Sequence, residues 1–125
     1  MKNLINGCPN IQKFECSNIN LKSGEYSIIQ ELPHLQYLNV SGNKNLCNLD
    51  IKAIYSKENK IKYLDISYCS SLTDRAISFI LKNAQSLETI KINGSNLRIT
   101  QKSFYLLTDL KIRNIEFQKK SKSQS

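Results

Sequence analysis

Residues 61–84 read IKYLDISYCSSLTDRAISFILKNA, and two periodicities follow one another within them. Leu64 and Ile66 alternate with Tyr63, Asp65 and Ser67, the period-two pattern of a strand that buries one face. Past Cys69 and Leu72 the spacing changes. Ala76, Ile77, Ile80, Leu81 and Ala84 recur at helical intervals, as on the apolar stripe of an amphipathic helix. Thr73 stands where its hydroxyl caps the first amides of that helix, and Asp74 complements the positive end of the helix dipole. One stretch therefore predicts a strand, a turn and a helix.

The same order recurs along the chain. The strand triplet Ile61, Leu64, Ile66 has counterparts in Ile11, Phe14, Cys16; Leu35, Leu38, Val40; Leu87, Ile90, Ile92; and Ile112, Ile115, Phe117. Their starts are separated by 24, 26, 26 and 25 residues (35−11, 61−35, 87−61, 112−87). The second unit repeats the helical part with Leu46, Asn48 as predicted cap, Ile51, Ile54 and Tyr55. The fourth does so with Thr100 as cap, Phe104 and Leu107. In the first, Ser23 is the predicted cap of a short segment carrying Tyr26, Ile28 and Ile29. A period in this range with this internal spacing is the signature of a leucine-rich-repeat solenoid, each unit a short strand followed by a helix or 3₁₀ segment. The expected fold is α/β: a right-handed horseshoe segment with a parallel concave sheet and helices on the convex side. The repeats start near residues 11, 35, 61, 87 and 112 and occupy residues 1–117, with residues 1–10 as the remnant of a preceding repeat. Residues 118–125, rich in Ser, Gln and Lys, are expected to form a disordered basic tail.

Composition bounds the function. At 125 residues, 40% apolar and 22% charged, the chain is long enough for one continuous core. No apolar run reaches the ~18 residues of a membrane-spanning helix, and the opening residues lack a secretory apolar segment. An intracellular protein, cytoplasmic or nuclear, is expected, and the sequons at Asn39 and Asn93 are read as chance. Cys8, Cys16, Cys47 and Cys69 form no Cys-x-x-Cys pair and have no histidine spacing for zinc, so buried structural thiols are expected rather than metal ligands or disulfides.

Two stretches resemble a known family. Cys69 with Leu72-Thr73-Asp74, Ile77 and Ile80, and the junction Gly7-Cys8-Pro9-Asn10-Ile11, are similar to the cysteine-containing leucine-rich repeats of F-box proteins, of ribonuclease-inhibitor-like fold. The column of Cys69 holds Ile19, Asn43 and Ser95 in the other units, a departure from the cysteine pattern. The resemblance covers about residues 1–117. It implies substrate recognition for a ubiquitin ligase, because in that family the repeats hold the target while an F-box recruits the ligase core. No F-box is visible in this sequence, so a ligase context requires one supplied elsewhere; the chain reads as a fragment or a truncated paralogue.

Strand alternation predicts which side chains leave the core. Three ladders point outward: Lys13, Tyr37, Tyr63, Thr89, Asn114; then Glu15, Asn39, Asp65, Lys91, Glu116; then Ser17, Ser41, Ser67, Asn93, Gln118. Tyr37 and Tyr63 fall side by side about 4.8 Å apart, the spacing of neighbouring strands. Solvent-facing tyrosines in a polar surround have the composition of an interface hot spot, and equally that of a cross-strand aromatic pair. Asp65 with Lys91, and Lys91 with Glu116, read as a ladder of ion pairs. The expected protein-binding face comprises Lys13, Tyr37, Asn39, Tyr63, Asp65, Thr89 and Lys91.

The net charge of +8 raises a nucleic-acid reading. Yet on or beside the strands, Lys13, Lys62, Lys91 and Arg113 balance Glu15, Asp65, Glu88 and Glu116. The excess lies on helices, loops and the tail, including Lys119, Lys120 and Lys122. A dedicated nucleic-acid reader gathers its cations on one face with aromatic platforms among them. Weak, salt-sensitive binding of RNA or other anionic partners through scattered lysines is the second expectation. Catalysis is not expected. The single histidine, His34, follows Pro33 in a loop, no nucleophile is placed with it, and no glycine motif cradles phosphate. No cofactor or small-molecule substrate is implied.

Overall fold

A computed structural model describes residues 10–22, 24–94, 98–109 and 112–117. Five strands, β1 (Lys13–Glu15), β2 (Tyr37–Asn39), β3 (Tyr63–Asp65), β4 (Thr89–Lys91) and β5 (Asn114–Glu116), alternate with helical segments. The first of these is a 3₁₀ helix, Glu25–Glu31; the others are α1 (Asn48–Ile54), α2 (Asp74–Asn83) and α3 (Gln101–Asp109). The strands form one all-parallel sheet in chain order. Its register pairs Phe14 with Leu38, Leu38 with Leu64, Leu64 with Ile90 and Ile90 with Ile115. These are the central residues of the apolar triplets, so each unit enters the sheet in step with the last. The architecture is a parallel α/β repeat.

Three-residue strands gain little alone; their stability comes from shared rungs and a shared core. Leu38, Leu64 and Ile90 are fully buried, with Tyr26 and Ile29, Ile51 and Ile54, Ile77 and Ile80, and Leu107 from the successive helices. These side chains belong to one continuous cluster that also holds Cys16, Val40, Ile66 and Cys69. Burial pushes the thiols of Cys16 and Cys69 up to about 11, which keeps them neutral. Neither is in a disulfide; Cys8 lies outside the described residues.

Polar side chains lock one unit to the next. Buried Asn43 donates from Nδ2 to the carbonyls of Cys16 and Val40 (both 2.8 Å), while its Oδ1 accepts from Asn20 N (2.6 Å) and the Tyr26 hydroxyl (2.9 Å). Cys69, one unit later in the same column, donates its thiol to Val40 O at 3.2 Å. A second ladder joins the helix starts. Asp50 Oδ1 accepts from Gly24 N; Asn48 holds Thr73 through both its amide atoms; Asp74 accepts from Thr100 N and from the Thr100 and Ser103 hydroxyls. Burial raises the Asp74 carboxyl, but the bonds from Ser103 and Thr100 outweigh it and hold the group below its usual value.

These contacts bear out one predicted cap and revise another. Thr73 does cap α2, its hydroxyl accepting from Arg75 N at 3.2 Å. Asn48, expected to cap α1, is that helix's first residue behind Cys47 and serves the next unit's Thr73 instead. The Thr100 hydroxyl donates to Asp74. The first helical segment is 3₁₀ with Gly24 at its cap position; Ser23 lies outside the described residues.

One turn is repeated after β1, β2, β3 and β4. Asn18, Gly42, Tyr68 and Gly94 occupy equivalent positions, and all four have left-handed backbone, φ 59°, 70°, 57° and 64°. Large and absent side chains alternate in this column. A Cβ on Gly42 would meet the Asn18 side chain at 1.9 Å, and one on Gly94 would meet the Tyr68 ring at 2.1 Å. Each glycine therefore makes room for the side chain of the preceding unit.

Candidate binding face

Because the central residue of each strand from β1 to β4 is buried, its two neighbours turn to the opposite side of the sheet, away from the helices. All seven expected face residues lie there. Lys13, Tyr37, Tyr63 and Thr89 fall on one lateral row, and Asn39, Asp65 and Lys91 on another. Lys13 is exposed and the other six are half-buried.

The parallel register brings Tyr37 and Tyr63 into a face-to-face stack, with ring centroids 4.1 Å apart and planes 3° from parallel. The Lys13 ammonium stands 4.5 Å from the Tyr37 centroid, and Lys91 Nζ is 5.5 Å from that of Tyr63. The tyrosines, expected to be solvent-facing, are thus enclosed on their ring faces and offer edges and hydroxyls outward. Burial, followed by contact with the Tyr63 hydroxyl and the charge of Glu15, pushes the Tyr37 hydroxyl up to about 12. It is a neutral hydrogen-bonding group at any physiological pH.

The predicted ion-pair ladder forms only in part. Lys91 pairs with Glu116 at 3.2 Å, and Lys13 with Glu15 at 3.4 Å. Hydrogen bonds to Glu116 and then to Tyr63 raise the Lys91 ammonium. Glu116 is lowered by its bonds from Asn93 and Lys91. Lys91 does not pair with Asp65, because Glu116 and the Tyr63 ring draw its ammonium away. Asn39 and Asp65 instead accept from the amides two residues ahead, Ser41 N at 3.0 Å and Ser67 N at 2.9 Å. This short loop, available to Asn and Asp side chains, fixes both side chains where the strands end. Thr89 Oγ1 accepts from Asn114 Nδ2 at 3.2 Å.

One exposed aromatic escaped the strand-based reading. Tyr68 is 63% exposed and holds φ 57°, a conformation that a bulky residue adopts only at a cost. Its signal in the sequence is its column: a tyrosine stands where the neighbouring units carry Gly42 and Gly94. Away from the face, His34 is exposed beside Pro33. Among the described residues, no group of three or more His, Cys, Asp or Glu side chains could hold a metal ion, and no helix is long and apolar enough to cross a membrane. Beside β1 an open hollow of about 460 Å³ is lined by Ile11, Phe14, Cys16, Ile19 and Leu21, with Lys13 and Glu15 at its rim. The proposed tail and the preceding-repeat remnant, but for Asn10, lie outside the described residues. No family model and no curated protein matches the chain.

Proposed function

We propose that the chain is a leucine-rich-repeat solenoid segment and that the sheet face bearing Tyr37 and Tyr63, the concave side of such a solenoid, binds a protein. Support for the repeat class comes from strands in register at 24 to 26 residues. It comes also from the column in which Asn43 and Cys69 donate to a backbone carbonyl of the preceding unit, since this class carries Asn or Cys at that point of its motif. By its resemblance to F-box repeats, the chain is a substrate-recognition part of a ubiquitin-ligase receptor, or a truncated paralogue, with the F-box supplied elsewhere.

The observation that carries the binding reading is the Lys13–Tyr37–Tyr63–Lys91 stack. Side chains already ordered lose little rotamer freedom when a partner docks, and tyrosine supplies both apolar area and a hydroxyl. The same stack argues against an RNA platform, because no base reaches a ring face without displacing a lysine.

Affinity capture from a eukaryotic lysate tests the proposal, with the wild-type chain beside a Tyr37→Ala/Tyr63→Ala variant whose fold is verified by thermal melt. Proteins retained by the wild type and lost by the variant support face recognition, and ligase subunits among them support the F-box connection. Retention of the same RNA by both forms, lost as salt rises, assigns binding to the lysines and overturns it.

A further inference from the structure

Resting on that reading, we propose that the partner places one basic side chain, an arginine or a lysine, against Asp65. Among the described strand residues, every charge except this one is answered by the chain itself. Lys13 pairs with Glu15 and Lys91 with Glu116, while at the flank Arg113 pairs with Glu88 at 3.6 Å. Asp65 has no ion pair among the described residues. Its Oδ1 is taken by Ser67 N, and its Oδ2 meets no donor among the described residues. Its lateral neighbour on β2 is the neutral Asn39, whose own oxygen is committed to Ser41 N. On β4 its neighbour is Lys91, whose ammonium is held by Glu116.

Position turns this vacancy into a constraint on the partner. Asp65 lies two residues along β3 from Tyr63, about 6.6 Å, and one strand spacing of about 4.8 Å from Asn39. Anything that covers the tyrosine edges therefore also covers this carboxylate. Removing an unanswered charge from water is unfavourable, so an apolar or acidic group over Asp65 weakens docking. A guanidinium meets the carboxylate with a bidentate fork and suits the site best.

The chain's net charge of +8 does not oppose this. Among the described residues, its exposed lysines other than Lys13 and Lys62 lie on helices and loops, at Lys22, Lys44, Lys52, Lys57, Lys60, Lys82 and Lys102, and salt screens exposed charges beyond about 8 Å. They disfavour a polybasic partner and leave one basic residue in a neutral or acidic segment as the fitting occupant.

Selection of a random displayed peptide library on the full chain tests this. Binding of the selected peptides is then measured by fluorescence anisotropy to wild type, to Asp65→Asn and to Tyr37→Ala/Tyr63→Ala. Asp65→Asn keeps an oxygen for Ser67 N and nearly the same shape, so it reports charge rather than fold. The expected result is that peptides lost by the tyrosine variant carry Arg or Lys and bind Asp65→Asn at least tenfold more weakly. If the tyrosine-dependent peptides lack a basic residue or bind Asp65→Asn unchanged, the inference fails while face recognition stands. If no selected peptide depends on the tyrosines, both fail.

Discussion

Asn43 tests the inter-unit lock most directly, because one side chain serves groups from two units. Asn43→Ala removes the acceptor of the Tyr26 hydroxyl and the donor to Cys16 O, both in places closed to water, and frees Asn20 N nearer the surface. An orphaned buried polar group costs about 1–3 kcal/mol, so two of them put the loss at about 2–6 kcal/mol. That is a large part of the stability of a domain this size. Tyr26→Phe alone leaves Asn43 Oδ1 bonded to Asn20 N and is expected to cost about 1 kcal/mol. In the Tyr26→Phe background Asn43→Ala no longer strands a hydroxyl, so its effect falls by about 1–2 kcal/mol. Asn43→Cys recovers part of the loss, since Cys69 makes the equivalent thiol bond to Val40 O. Urea melts followed by far-ultraviolet circular dichroism measure all four proteins. A loss below about 1 kcal/mol for Asn43→Ala, or strict additivity with Tyr26→Phe, refutes the lock.

Three further outcomes are expected. Tyr55 is fully buried and its hydroxyl has no hydrogen-bond partner among the described residues, so Tyr55→Phe should raise stability by about 1 kcal/mol, read as a higher urea midpoint. Gly94→Ala combines φ 64° with a Cβ 2.1 Å from the Tyr68 ring and should lose more than about 1 kcal/mol, less in a Tyr68→Gly background where the ring is gone. Cys16 and Cys69 have pKa values raised from 9.0 to about 11 by burial, so the folded chain holds their protons where the unfolded chain has lost them. Stability from these thiols is complete below about pH 9 and declines as pH climbs toward 11, because the unfolded state then binds fewer protons. Melting temperatures from pH 8 to 11 should fall more gently for Cys16→Ala/Cys69→Ala than for wild type; an equal slope contradicts the assignment.

The strand register was legible because two local rules suffice for it. A period-two pattern fixes which side chains are buried, and a nearly constant unit length sets every triplet against the next, which is why Lys13, Tyr37, Tyr63 and Thr89 form the anticipated row. The caps were harder. Asn48 is a cap-forming residue type at a cap-like position, but its side-chain oxygen accepts from Thr73 N, 25 residues away, rather than from a local amide. Asp65 beside Lys91 looked like an ion pair for a similar reason. Adjacent rungs allow the contact, and the stronger claim of Glu116 together with the Tyr63 ring removes it.

The sequence by itself determined the five parallel strands, the helices between them and the row of outward residues, since apolar spacing acts through the short range of backbone geometry. Only the tertiary structure decided that the tyrosine rings are enclosed between two lysines, that Asn43 ties two units together, that Tyr68 rests on Gly94 and that Asp65 is left without a cation. Those outcomes depend on which of several side chains from neighbouring units reaches a shared partner first, a competition in space that no one-dimensional spacing records.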